Sequence, residues 1–405
     1  MTQFRRKRFS GIGRPALRPA WAGLLLAALL AGAPARAADL TGSGSASVVS
    51  GDSYAYVYGT RSQGGDAVAN DSLVNVSGGA VSMDLYGGSA LSRNGSAEAM
   101  NNSVTVSGGL TGFNDNIYGG YARSYTSGVM ADGNSVTLEG SLRFGPWVQV
   151  FGGYARMSGG SGSVEALDNH VSVGGSAALN FVVGGEAYAE SSAQGVSLAA
   201  GNTVSLNGGS AALMYGGYAV AQGDATAKNN VISVNGGSFG DVVGGEVHSY
   251  TGKALAEGNV VTISGGEGSS TVVGASVQSD SGSAEASDNT VSVFNASVAG
   301  SVSGAFAPES SVPASLVGNR VVIGSGATVE GDAVGGAVTG STPGSRADSN
   351  IVAVVDGGSV AGDVIGGLVE AEDSSASYNT VLVRNASVGG SIYGGDAGAG
   401  SAATH

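Results

Sequence analysis

Asn202-Thr203-Val204-Ser205-Leu206-Asn207-Gly208-Gly209, followed by Met214-Tyr215-Gly216-Gly217-Tyr218-Ala219 and Asp224-Ala225-Thr226-Ala227-Lys228, is the stretch that decides the fold. Its first segment alternates apolar and polar side chains and ends in a glycine turn, the pattern of a half-buried strand. The second places an aromatic before a Gly-Gly pair, where missing side chains permit positive φ or a close backbone approach. In the third, alanines alternate with polar residues, which suits a narrow interior corner. Three strands of about five residues, with turns of similar length, use about 30 residues and make one coil of a three-sided solenoid.

The unit recurs along the chain. Its V-x-V anchor begins at Val74, Val104, Val136, Val171, Val204, Ile232, Val261, Val291, Val321, Val352 and Val381, with spacings of 28 to 35. Stacked about 4.8 Å apart, such coils pair their backbones and superpose their valines into ladders. The reading is an all-β, single-stranded, right-handed parallel β-helix (β-solenoid) of about eleven coils, roughly 31 residues each. A propeller stops at about four to eight blades of four strands each. Helical repeats need a 3.6-residue apolar period, which is missing after residue 37. Glycine is 73 of 405 residues, without the three-residue period of collagen.

Arg5, Arg6, Lys7 and Arg8 precede an apolar run from Ala20 to Ala33, then Pro34 and Ala35-Arg36-Ala37. That layout predicts a signal peptide at 1–37, cleaved after Ala37 by the general secretory route. The remainder divides into a partial N-terminal coil or cap at 38–69, solenoid repeats at 70–395 and an uncapped tail at 396–405. Seven of the 17 basic residues and none of the 31 acidic ones lie in 1–37, so residues 38–405 carry a net charge of −21. An acidic surface of that size disfavours nucleic acid. The chain has no cysteine, so repeated packing rather than disulfides must hold it.

Asn102, Asn134, Asn169, Asn202, Asn230, Asn259, Asn289, Asn319, Asn350 and Asn379 stand two residues before their anchors, with Ser72 in the first copy. They read as a structural ladder, since asparagine tolerates unusual turn geometry and its amide can bond stacked neighbours. Before the Gly-Gly pair, Tyr86, Tyr118, Phe151, Tyr215 and Tyr393 alternate with Val183, Val243, Val273, Val334 and Ile365, a mixture that favours packing over sugar binding. Tyr121, Tyr154 and Tyr218 follow the pair and form the candidate contact surface. Asp241, Asp332 and Asp363 recur in turns, where solvated carboxylates are expected in place of calcium ligands. His170, His248 and His405 occupy unrelated contexts, and Glu98, Glu165, Glu257 and Glu285 fall on a wet face of the third segment. No catalytic, metal or cofactor site is expected.

The motif N-x-V-x-V-x-G-G followed by Y-G-G-Y-A, as in Asn102 to Gly109 with Tyr118 to Ala122, in a cysteine-free acidic chain with a signal peptide, resembles the repetitive passenger domains of bacterial autotransporters over about residues 40 to 395. The resemblance implies a long β-helix displayed on a Gram-negative cell surface and a non-enzymatic role in adhesion or aggregation. Its expected partners are host or bacterial surface glycans or proteins. A family passenger is followed by a membrane β-barrel, which this sequence does not contain. The expectation is therefore a truncated product, a secreted stand-alone solenoid, left in the periplasm if unanchored, or association with a separate outer-membrane partner. Two rival readings stay open: a carbohydrate-active β-helix enzyme, and an extracellular matrix or filament protein that self-associates through its C-terminal coil.

Overall fold

In the computed structural model, which describes residues 38–110, 112–308, 310–340, 342–398 and 402–403, the chain is an all-β parallel solenoid of about 12 turns with about 30 residues per turn. The signal peptide expected at 1–37 and the terminal His405 lie outside the described residues. The stretch 38–69 pairs fully with the coil after it: Ala46 stands on Val74, Tyr58 on Tyr86 and Ala67 on Ala97. It adds a turn to the eleven counted from the anchors.

Each coil contributes the three segments of the sequence repeat, paired in parallel with their equivalents above and below. In central coils the anchor and Gly-Gly segments run into one strand, Thr203–Ala221 and then Val231–Ser249. The alanine segments, such as Ala225–Lys228, form a separate 12-stranded ladder. Anchor valines such as Val104, Val136 and Val171 face Ile117, Val150 and Val182 in a larger apolar compartment. A narrower one is filled by alanines, among them Ala99, Ala131 and Ala166 against Ala122, Ala155 and Ala187. Fully burying a valine contributes about 1.5 kcal/mol or more, and each coil obtains this only by lying on its neighbours.

Between the two compartments runs the asparagine ladder. Asn202 Nδ2 donates to Oδ1 of Asn230 in the next coil (2.9 Å) and to the backbone oxygen of Ala166 (2.9 Å), and Asn202 N–H donates to the same Oδ1 (3.1 Å). The pattern repeats from Asn102 to Asn379, with nine of the ten asparagines fully buried and Asn379 8% exposed. The left-handed turn falls on the residue before each asparagine, not on the asparagine as the sequence suggested. Asn101 (φ 54°), Asp168 (φ 50°) and Asn229 (φ 54°) take it in some coils, Gly133 and Gly201 in others. Asn, Asp and Gly are the residues that enter this region at least cost.

The Gly-Gly strand crosses over this ladder at the waist of the coil, and the two glycines serve different ends. A Cβ on Gly216 would lie 2.5 Å from the carbonyl oxygen of Gly244 one coil on, and the equivalent contact measures 2.4 Å at Gly119 and 2.5 Å at Gly184. A Cβ on the second glycine, Gly217, would meet the Asn230 amide at 2.4 Å. Neither glycine is left-handed, so the requirement is close approach. The first is glycine in every coil from Gly59 to Gly394, whereas Ala275 and Ala305 stand at the second. Thr60 takes the second place in the first coil, and Gly59 before it meets Ser72, which holds the ladder position in place of an asparagine. Gly216→Ala is therefore expected to destabilise by about 2 kcal/mol or more and Gly217→Ala by clearly less. Thermal unfolding of the two variants checks the order, and equal losses would contradict it.

Candidate functional site

The kink at the waist also shapes the outer surface. Ladder pairing passes from Tyr118↔Phe151 directly to Gly120↔Gly153, leaving Gly119 unpaired. One unpaired residue shifts the alternation of faces. Tyr118 and Tyr121, three apart, therefore both point outward, and their rings meet edge to face at 5.2 Å. Two outward columns run side by side along the solenoid. In the first, Tyr58, Tyr86, Tyr118 and Phe151 stack at 4.9, 5.0 and 5.1 Å with planes within 12° of parallel. Tyr118 and Tyr215 are 8% exposed and Phe151 3%, so this column packs as a third apolar cluster.

The second column holds the three tyrosines expected as a contact surface, but not as an unbroken row. Tyr121 and Tyr154 stack at 5.2 Å. Tyr154 is 9% exposed, while Tyr121 and Tyr218 are half-buried. Glu186 lies between Tyr154 and Tyr218, and Glu246 follows Tyr218. Sequence reading singled out the tyrosines and passed over these glutamates. The signal was present in Val183-Gly184-Gly185-Glu186 and Val243-Gly244-Gly245-Glu246, which align with Tyr215-Gly216-Gly217-Tyr218.

Burial pushes the carboxyl of Glu186 up to about 7, with the Arg156 guanidinium opposing the rise. Burial likewise pushes Glu246 up to about 7, against a hydrogen bond with Ser276. Arg156 itself is engaged elsewhere: it pairs with Glu190 at 2.6 Å, donates to the Tyr154 hydroxyl at 3.1 Å and lies 5.3 Å over the Tyr188 ring. Toward the N-terminal end of the columns, Asp84 accepts from the Tyr86 hydroxyl (2.7 Å) and from the Asn116 backbone and amide (3.0 Å each). Burial, then the adjoining Asp84 charge, push Asp115 up to about 6, and Asn116 Nδ2 donates to both carboxyls, at 3.0 Å to Asp84 and 3.1 Å to Asp115.

The remaining sequence candidates do not converge. Asp241, Asp332 and Asp363 are not simply solvated turn carboxylates: each accepts from a backbone N–H one coil on, at Thr271 (3.1 Å), Asp363 (2.7 Å) and Ser391 (2.8 Å). They tie coils together, and no group of three or more His, Asp or Glu among the described residues is placed to hold a metal. His248 contacts Asp280 at 3.3 Å, and His170 lies in a different segment, the anchor strand His170–Val173. Glu285 pairs with Lys253 at 2.6 Å, while Glu98, Glu165 and Glu257 stay on the outer face of other alanine strands.

Glu186 and Glu246 have folded-state values above the ordinary 4.5, so folding favours their protonated forms. Their stabilising contribution is full below about pH 4.5 and is lost as pH rises to about 7. The double variant E186Q/E246Q should flatten the fall in melting temperature between pH 4 and 8 and melt higher than the parent at pH 8. Superimposable pH profiles would contradict the assignment. Compared with known proteins, the chain matches no family model, no curated protein and no solved structure.

Proposed function

We propose that the chain is an autotransporter-like passenger, exported through a leader at 1–37, that serves as a cell-surface adhesin or structural surface protein by multivalent contact along the solenoid. The observation that carries this reading is the register. Outward positions repeat coil by coil over about 12 turns, so side chains one coil apart stand in line along one face and can make contacts side by side. Linked weak sites raise avidity without any single strong pocket. The acidic surface directs the choice of partner toward surface glycans or proteins and away from nucleic acid. Display in the manner of the family rests on an outer-membrane β-barrel, which a separate partner can supply.

A carbohydrate-active enzyme is the second reading, and the observation favouring it is the Asp84–Asp115 pair beside the stacked tyrosines. The two carboxyls share one donor, Asn116 Nδ2, whereas glycosidase carboxyls stand about 5 Å or more apart to flank a sugar bond. Carboxyls gathered on one donor do not stand as an acid and a nucleophile on opposite sides of a substrate. In cells expressing the whole gene, external protease should remove the protein from the surface. Deleting one coil, residues 202 to 229, should leave a folded solenoid whose adhesion to target cells falls only in part. Protein protected from protease, or adhesion unaffected by its removal, would sink the proposal.

A further inference from the structure

Four of the ten basic residues between positions 38 and 405 stand together at the corner where the Gly-Gly strand ends. The strands Val57–Gly64, Leu85–Ser92, Asn116–Ser124 and Gln149–Met157 lie in register, and each coil brings one arginine to this corner. Arg61 shares its column with Ser89, Tyr121 and Tyr154, and Arg123 and Arg156 share theirs with Gln63 and Leu91. Arg93, Tyr125 and Ser158 stand just past the strand ends. Arg61, Arg93 and Tyr125 are exposed, and Arg123 and Arg156 are half-buried. One arginine per coil over four coils makes a basic file about 14 Å long. No carboxylate stands in these columns before Glu186 and Glu190 in the fifth coil.

Among the described residues these four guanidinium groups pair with two carboxylates. Arg156 meets Glu190 at 2.6 Å, Arg123 reaches the same oxygen at 4.0 Å, and Arg61 meets Asp39 at 3.7 Å. Arg93 has no side-chain partner among the described residues. Ion pairs as exposed as Arg61–Asp39 are weak, so an external anion can compete for the arginine. Three of the guanidiniums rest on rings: Arg61 over Tyr58 at 4.8 Å, Arg123 over Tyr125 at 4.7 Å and Arg156 over Tyr188 at 5.3 Å. A planar guanidinium held by a ring is pre-organised, and less freedom is lost when its N–H fork takes an anion.

In a stretch of net charge −21 this corner inverts the local charge and is complementary to an anion. A dense polyphosphate would be repelled by the carboxylates that follow in the same columns, Glu186, Glu190 and Glu246. A sugar chain spaces its anionic groups more widely and presents apolar C–H faces with hydroxyl edges, and the amphipathic tyrosine ring suits both. Tyr121 and Tyr154 stack at 5.2 Å beside the arginines, and Tyr125 is 41% exposed. We propose that Arg61, Arg93, Arg123 and Arg156, with Tyr125, form a subsite for an acidic glycan: the arginines take its carboxylate or sulfate groups and the tyrosine packs against a sugar face. The inference rests on the surface-glycan reading above but concerns binding alone, so its failure in purified protein is distinct from a failure of display on cells.

The test is calorimetric titration of the purified protein at pH 7 with polygalacturonate, dextran sulfate, neutral dextran, polyglutamate and single-stranded oligothymidylate. An acidic polysaccharide should bind about tenfold or more tighter than neutral dextran, polyglutamate or the oligonucleotide, and the tighter of the two names the anion the arginines take. Its affinity should fall about tenfold or more between 50 and 200 mM salt. R61Q/R93Q, which leaves the Glu190 pairs in place, should weaken it about tenfold. R346Q/R384Q, with the same change in charge on other coils, should leave it within about twofold. No binding, equal binding of polyglutamate or the oligonucleotide, or equal losses in the two double variants would overturn the proposal. The polymer series on the parent protein needs no variant, so it decides the matter even where a substitution misfolds.

Discussion

A buried amide bonded to the same amide one coil away is the interaction on which the rest of this structure depends. Each asparagine from Asn134 to Asn350 uses its Oδ1 to accept from the backbone and side chain of one neighbour and its Nδ2 to reach the other way, so the buried amides satisfy one another. An unpaired buried amide would cost about 1–3 kcal/mol, and ten in a row would be ruinous. In register the same residues hold the coils at one spacing and divide the interior into a valine and an alanine compartment.

The waist explains the glycines, and the glycines explain the outward columns. A strand crossing close over the asparagines has no room for Cβ at its first glycine, where the carbonyl oxygen of the next coil already lies. The unpaired residue there turns side chains three apart to the same outer face, which brings Tyr118 against Tyr121 and Phe151 against Tyr154 at 5.2 Å. An internal packing constraint thus produces an external aromatic ridge. The same geometry places Glu186 and Glu246 among rings instead of in open water, which raises their carboxyls.

Much of the fold was legible because strand period and coil period are both written in side chains. Val204-Ser205-Leu206 declares a half-buried strand, and its return at every anchor declares stacking. The asparagine ladder was legible in position but not in mechanism: sequence could not show that Asn229, not Asn230, bears the left-handed turn. The outward columns were less legible. Tyr121, Tyr154 and Tyr218 stand out by residue type, but a column is defined by position, and Glu186 shares theirs. Asp84 and Asp115 come together across coils through a turn whose length varies from copy to copy, so spacing gave no hint of the pair.

The most direct test of this account is the thermal stability of Asn230→Ala beside Ser233→Ala, an outward change in the same coil. Removing the Asn230 amide strands the Asn202 N–H and Nδ2 donors, which reach its Oδ1 at 3.1 and 2.9 Å. The account predicts a loss of about 2–3 kcal/mol for Asn230→Ala, against about 0.5 kcal/mol or less for Ser233→Ala. An Asn230→Ala protein as stable as the Ser233→Ala control would show that the ladder accompanies the fold without holding it.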